Sequence, residues 1–198
     1  MSERVGKMNS FYTPSELLHL GLTKFGKNVL ISRKASIYGA KNISIGDHVR
    51  IDDFCILSGK ITIGSYVHIA AYTALLGGNK GIVIEDFAGL SSRVSVYTAT
   101  DDYSGETMTN PTIPEKYKHV TSGEVVIQQH SIIGSGSVIL PGVTIKEGSS
   151  FGALSLINKD CNEWTINAGI PFKEIKTRSR KLLDLEKKLK EESEDSEE

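Results

Sequence analysis

The chain has 198 residues, 39% of them hydrophobic and 24% charged, with a net charge of -1 at pH 7, which suits one domain built on one apolar core. That near-neutral balance argues against a nucleic-acid partner, while local cations could still hold a phosphate-bearing small molecule. No apolar run reaches the roughly 18 residues that a bilayer span needs, and the first residues lack a signal-peptide core, so a soluble, cytoplasmic chain without membrane insertion is expected.

Residues 1–28 read as an N-terminal cap. Within it Thr13-Pro14-Ser15-Glu16 combines an N-cap threonine, a proline at the first helical position and a glutamate at N3, predicting a short helix to about Leu20. Leu17, Leu18 and Leu20 are expected to plug an open end of the core. From there to residue 170 an aliphatic or aromatic residue recurs every six positions: Ile31, Ile37, Ile45, Ile51, Leu57, Ile63, Ile69, Leu75, Ile84, Leu90 and Val96, then Ile127, Ile133, Ile139, Ile145, Phe151 and Ile157. Four residues after most of these stands a compact side chain such as Ala35, Val49, Thr73 or Ser137. A helix repeats every 3.6 residues and a strand every 2, so a period of six is a short strand plus a corner. Three hexads close a triangular coil of about 18 residues, and stacked coils pair strand over strand. The expected fold is an all-β solenoid, a parallel β-helix. Cys55 and Cys161 fall on compact positions several coils apart, too far for a disulfide and too buried for a nucleophile.

The ladder breaks twice. Between Leu75 and Ile84 three extra residues fall in Gly77-Gly78-Asn79-Lys80-Gly81, predicting a small corner bulge. Between Val96 and Ile127 about 25 residues leave the coil, an insertion near 100–123. So long a loop in so regular a scaffold costs ordering entropy and usually serves function. It carries Asp101, Asp102, Tyr103, Glu106, Asn110, Glu115 and His119, and marks the expected acceptor site. Residues 171–190 form a C-terminal segment with leucines at helical spacing, predicting a helix from Lys176 to about Lys190, followed by a disordered acidic tail over 191–198.

Three motifs then resemble a known family: Ile133-Gly134-Ser135-Gly136-Ser137-Val138-Ile139-Leu140-Pro141-Gly142, Phe151-Gly152-Ala153-Leu154-Ser155-Leu156-Ile157-Asn158-Lys159-Asp160, and Ala168-Gly169-Ile170-Pro171-Phe172-Lys173-Glu174-Ile175-Lys176. They resemble the hexapeptide-repeat acyltransferases, especially the galactoside and maltose O-acetyltransferases and the sugar acetyltransferases of surface-polysaccharide and lipopolysaccharide synthesis. The resemblance implies a left-handed coil and a homotrimer that binds acetyl-coenzyme A between adjacent prisms. Gly152 and Ala153 would admit the pantetheine arm, with Ser135 and Asn158 beside it. Lys159, Lys173 and Lys176 would face the coenzyme phosphates.

Where the galactoside type carries Thr-x-x-His-Pro, with that histidine as general base, this chain reads Tyr97-Thr98-Ala99-Thr100-Asp101-Asp102-Tyr103. Asp101 stands at the expected histidine. A carboxylate of ordinary pKa near 3.9 is a poor base toward a hydroxyl, although Asp102 beside it could raise it by repulsion. The candidate bases are therefore Asp101, His68 on an outward coil position, and His119 on the returning limb; Asp102, Tyr103 and Asn79 are candidate acceptor contacts. The main expectation is acetyl transfer to a sugar hydroxyl. The alternative is N-acetylation of a nucleotide-linked amino sugar, because a neutral amine attacks a thioester without a strong base. A non-catalytic scaffold on the same coil is a third possibility. A γ-type carbonic anhydrase would need a His-x4-His pair, which this chain lacks, so no metal is expected.

Overall fold

The computed structural model describes residues 10–195 and winds the hexads into a parallel β-helix, with mostly two- or three-residue strands joined at tight corners. One side of the prism is an eight-stranded sheet of Leu30–Ile31, Arg50–Ile51, His68–Ile69, Gly89–Leu90, Ile132–Ile133, Ser150–Phe151, Thr165–Ala168 and Lys173–Thr177. Its register sets Arg50 against His68, His68 against Gly89 and Gly89 against Ile132. The long excursion after Val96 therefore returns with the side-chain phase kept, as a closed coil demands: a one-residue slip would turn every core residue outward.

Every rung of the ladder is buried to within 4% except Ile37, which is half-buried against the core. Fully burying such a side chain contributes roughly 1.5–3 kcal/mol, so the ladder carries most of the apolar stabilisation. On one side the compact position is not small: Ile43, Ile61, Ile82 and Val125 are buried there beside Ile45, Ile63, Ile84 and Ile127. A third irregularity also exists, the eight-residue step from Ile37 to Ile45, where a 3-10 turn spans Ala40–Asn42. The expected corner bulge lies in the glycine-rich stretch before Ile84, where the register shifts. That stretch belongs to a strand, Ala74–Ile84, that crosses the corner with irregular register against Ile56–Ile63.

Helix α1 spans only Pro14–Leu17, stopping short of the expected Leu20, and Thr13 closes the predicted capping box with Glu16. Leu17 is buried and Leu20 packs on the core, whereas Leu18 points into solvent, 71% exposed, and plugs nothing. The C-terminal segment differs from expectation. Lys173–Thr177 is a strand, antiparallel to Thr165–Ala168, because the chain reverses at Gly169 (φ 110°) and Pro171 cannot continue a ladder. Helix α2 then spans Leu182–Asp195, starting later than Lys176 and running past 190 into the expected tail. Residues 196–198 of that tail, like residues 1–9 of the cap, lie outside the described residues.

Helix α2 is tied to one corner. There His48, Tyr66, Phe87, His130 and Trp164 all adopt the left-handed conformation, φ 52–60°, and their rings stack in succession at 4.7–6.1 Å. Stacking offsets a backbone state that costs about 1–2 kcal/mol for each non-glycine residue. Glu186 of α2 meets His130 Nε2 at 3.0 Å, and Arg178 Nη1 donates to the carbonyls of His130 and Gly148. His130 is thus a structural corner residue.

Candidate active site

At the corner that follows the eight-stranded side, small residues stack coil over coil. Ser91 N donates to Ile133 O, Gly134 N to Phe151 O and Gly152 N to Asn167 O. This places Ser91–Ser92, Gly134–Ser135, Gly152–Ala153 and Ala168 in one vertical stripe; Ser92 Oγ and Ser135 Oγ are 3.4 Å apart. Beside the stripe the sheet presents His68, Gly89 and Ile132 outward. Together they wall a groove of about 240 Å³ lined by His68, Ala70, Gly89, Ser91, Ser92, Ile132 and Ser135.

His68 Nε2 donates to Asp52 Oδ2 at 2.8 Å, and Arg50 Nε donates to Asp52 Oδ1 at 2.7 Å. Burial works to raise the Asp52 carboxyl, but the hydrogen bonds from His68 and Arg50 outweigh it and hold the group below its ordinary value. An ionised Asp52 fixes the proton on Nε2 and leaves Nδ1 as the free acceptor. Asp52 is a partner that the hexad reading missed. Read at the 18-residue coil period, Arg50 stands against His68 and Asp52 follows two positions on.

Gly134 and Gly152 stand in different surroundings. A Cβ on Gly134 would stand 2.5 Å from Ala153 N, so this glycine is demanded by coil packing. On Gly152 the nearest atom would be the Ala168 Cβ at 3.1 Å, a tight contact with a side chain, not with backbone. Lys159 and Lys173 meet at the end of the coil around a cleft of about 280 Å³, shared with Asp160, Asn167, Phe172 and Glu174. Lys159 Nζ lies 5.6 Å from the Phe172 ring centre. Lys176 is exposed on the last strand opposite Ile166, and Asn158 is exposed just before the cleft.

The long insertion is ordered by its own hydrogen bonds. Ala99–Thr100 and Thr121–Ser122 pair as an antiparallel stem. Beyond it the Asp102 carboxylate accepts from Ser104 N, Thr107 N and Thr107 Oγ1 at 2.8–3.0 Å. Those bonds, from Ser104 first and then Thr107, lower its pKa to about 2. Asp102 thus helps to fold the loop. A depressed carboxyl contributes order that is complete above its unfolded pKa near 3.9 and is lost as pH falls through the folded value. The Ser104 and Thr107 amide resonances are therefore expected to stay flat from neutral pH to about 4 and to move only as pH approaches 2; a midpoint near 3.9 would show an unbonded Asp102.

Asp101 takes a hydrogen bond from Asn110 N at 3.2 Å and lines a cleft of about 390 Å³ with Tyr97, Tyr103, Val138, Leu140 and Pro141. Across the stem lies a second cleft of about 520 Å³, walled by Gly78, Asn79, Lys80, Thr98, Val120 and Ser122. Asp101 and Tyr103 are thus brought together, while Asn79 sits on the opposite side of the stem. His119 is exposed, lines neither cleft, and ties the loop through its backbone N–H to Thr107 Oγ1. Cys55 is buried, with burial pushing its thiol up to about 11, which removes it as a nucleophile.

A parallel β-helix of hexads with a small-residue groove and one long ordered insertion defines the class of protein. The model of the bacterial transferase hexapeptide family, six repeats, matches residues 42–77. The chain is 49% identical over 178 residues, 88% of its length and 92% of the other's, to the Escherichia coli dTDP-4-amino-4,6-dideoxy-D-glucose acyltransferase. It belongs to the hexapeptide-repeat acyltransferases. The crystal structure of AntD, an N-acyltransferase from Bacillus cereus in complex with dTDP and 3-hydroxybutyryl-CoA, superposes with a TM-score of 0.93 at 53% identity, covering 94% of this chain and all of that one. Solved AntD variants alter a single aspartate or a single serine ten positions apart. A maltose O-acetyltransferase from Clostridium difficile shares the fold at 20% identity and a TM-score of 0.52, over 84% of this chain and 75% of that one.

Proposed function

We propose that the chain transfers an acyl group from an acyl-coenzyme A to the amino group of a nucleotide-linked amino sugar. The observation that carries this reading is the 49% identity, over nearly the whole of both chains, to an acyltransferase named for a dTDP-linked amino sugar. It favours the amine over the sugar hydroxyl as acceptor. The site chemistry agrees, since the insertion presents a carboxylate, Asp101, where hydroxyl acylation calls for an imidazole. An amine attacks a thioester carbonyl while neutral, and the proton it then sheds is acidic enough for a carboxylate to take.

In this reading Asp101 holds the acceptor nitrogen in the cleft with Tyr103 and receives its proton. Ser91 and Asp101 have the separation of the AntD variant positions; so do Ser92 and Asp102, but the Asp102 carboxylate is occupied by Ser104 and Thr107. Ser135, Gly152 and Ala153 flank the pantetheine arm. Lys159, Lys173 and Lys176, with Asn158, face the coenzyme phosphates, and Asn79 meets the nucleotide sugar from the far side of the stem. The His68 groove is open on its outer side, and a homotrimer would close it with the neighbouring prism.

The test is thiol release from acetyl- and 3-hydroxybutyryl-CoA with dTDP-4-amino-4,6-dideoxy-D-glucose, beside the matched dTDP-sugar carrying a hydroxyl at that carbon. The amine is expected to be preferred by about 10²–10⁴-fold in kcat/KM, the contribution of the strong base that a hydroxyl needs and an amine does not. Equal turnover of the hydroxyl sugar would return the reading to O-acylation.

A further inference from the structure

Gly89 is a glycine with no local reason to be one. It lies in a strand, where glycine is less favourable than alanine; its φ is ordinary, and a Cβ built on it meets nothing within 4 Å. Such a strand glycine marks a place where something else approaches the backbone. Gly89 stands between His68 and Ile132 on the outer face of the sheet. It also walls two cavities at once, the His68–Ser135 groove and a larger, mainly apolar one of about 480 Å³ beneath α2. That second cavity is lined by Phe87, Ile132, Leu182, Leu185 and Leu189, and also by the polar side chains of His130, Arg178 and Glu186. Three of its walls remain solvent-exposed apolar surface: Ile132, Leu185 and Leu189.

Resting on the acyl-coenzyme A reading above, we infer that the cavity beneath α2 is an acyl-chain pocket, entered from the His68 groove through the notch that Gly89 leaves open. The occupant is the hydrocarbon tail of an acyl thioester longer than acetyl. The groove beside His68 and Ser135 holds the thioester end; the shared walls Gly89 and Ile132 make the apolar cavity its continuation. Helix α2 thereby has a function beyond packing on the aromatic corner. Its leucines form the far wall, and the Glu186–His130 pair with the Arg178 clamp fixes the width of the space. A pocket of this kind rewards each additional buried methylene by about fourfold in affinity.

The experiment measures dissociation constants of acetyl-, butyryl- and hexanoyl-CoA for the wild-type chain and for Gly89→Val, with the chain-length dependence of kcat/KM beside them. Valine suits a strand and enters open space, so the variant is expected to fold; its circular dichroism and solution mass verify that. Wild type is expected to bind butyryl-CoA at least about tenfold more tightly than acetyl-CoA, and Gly89→Val to abolish that preference at unchanged mass. Leu185→Trp, which fills the cavity from the helix side, is expected to abolish it as well. Equal affinity of the wild type for all chain lengths would overturn the pocket and leave the acyltransferase reading standing. No binding of any acyl-CoA would overturn both. A change of solution mass in Gly89→Val, with the chain-length preference kept, would show that a second copy of the chain occupies the cavity and would overturn the inference.

Discussion

Asp101→Asn is expected to lower turnover of the amino-sugar acceptor by about 10²–10⁴-fold, the usual loss for a positioned proton acceptor, while His119→Ala stays within about twofold of wild type. Asparagine keeps the size of the side chain and can still accept the Asn110 N–H through its amide oxygen. The change therefore removes charge and basicity with little disturbance of the loop. If Asp101 takes the proton, the fall lies in kcat; if Asp101 only holds the acceptor nitrogen, KM rises instead. His119 serves as the control because it lines no cleft and its one described hydrogen bond is made by the backbone. The competing base is His68, whose Nδ1 is free and whose ring is oriented by Asp52. A full loss in His68→Asn, with Asp101→Asn active, would transfer the role of proton acceptor to the His68–Asp52 pair.

The hexad made the architecture legible because a period of six admits few structures, and the buried positions follow it from Ile31 to Ile157. What it concealed lay between rungs. The step from Ile37 to Ile45 holds a 3-10 turn, since a few added corner residues leave the inward phase untouched. Lys173–Thr177 pairs as a strand because the open edge at Thr165–Ala168 offers hydrogen-bond partners that an isolated amphipathic pattern does not reveal. At the site, the coil period would have found Asp52 near His68, whereas counting hexads did not. The partners of Asp102 were beyond reach of any period. They depend on a local turn in which Ser104 and Thr107 fold back on the carboxylate, so that Asp102 also anchors the loop. Gly134 and Gly152 looked equivalent as letters, and only the distance to the next coil separates packing from access.

That distance gives the largest stability effect expected in the coil. Gly134→Ala should destabilise the fold by about 3 kcal/mol or more, lowering Tm by roughly 6–12 °C for a chain of this size. The backbone dihedrals of Gly134 suit any residue, so the cost is steric alone. The new methyl would stand 2.5 Å from Ala153 N, 2.6 Å from Gly152 C and 2.7 Å from Phe151 O, all backbone atoms of the coil above. None can swing aside as a side chain would. Relief requires the two coils to separate, which stretches the Gly134 N to Phe151 O bond of 2.8 Å and opens the packing of Ile133 against Phe151 behind it. Gly89→Ala is the matched comparison, one coil further along the same sheet, with open space at the same atom and an expected change within about 1 kcal/mol. Thermal unfolding of the two variants separates the reasons for their glycines. A Gly134→Ala chain that melts with the wild type yet loses coenzyme affinity would show that this glycine, too, serves the ligand and not the coil.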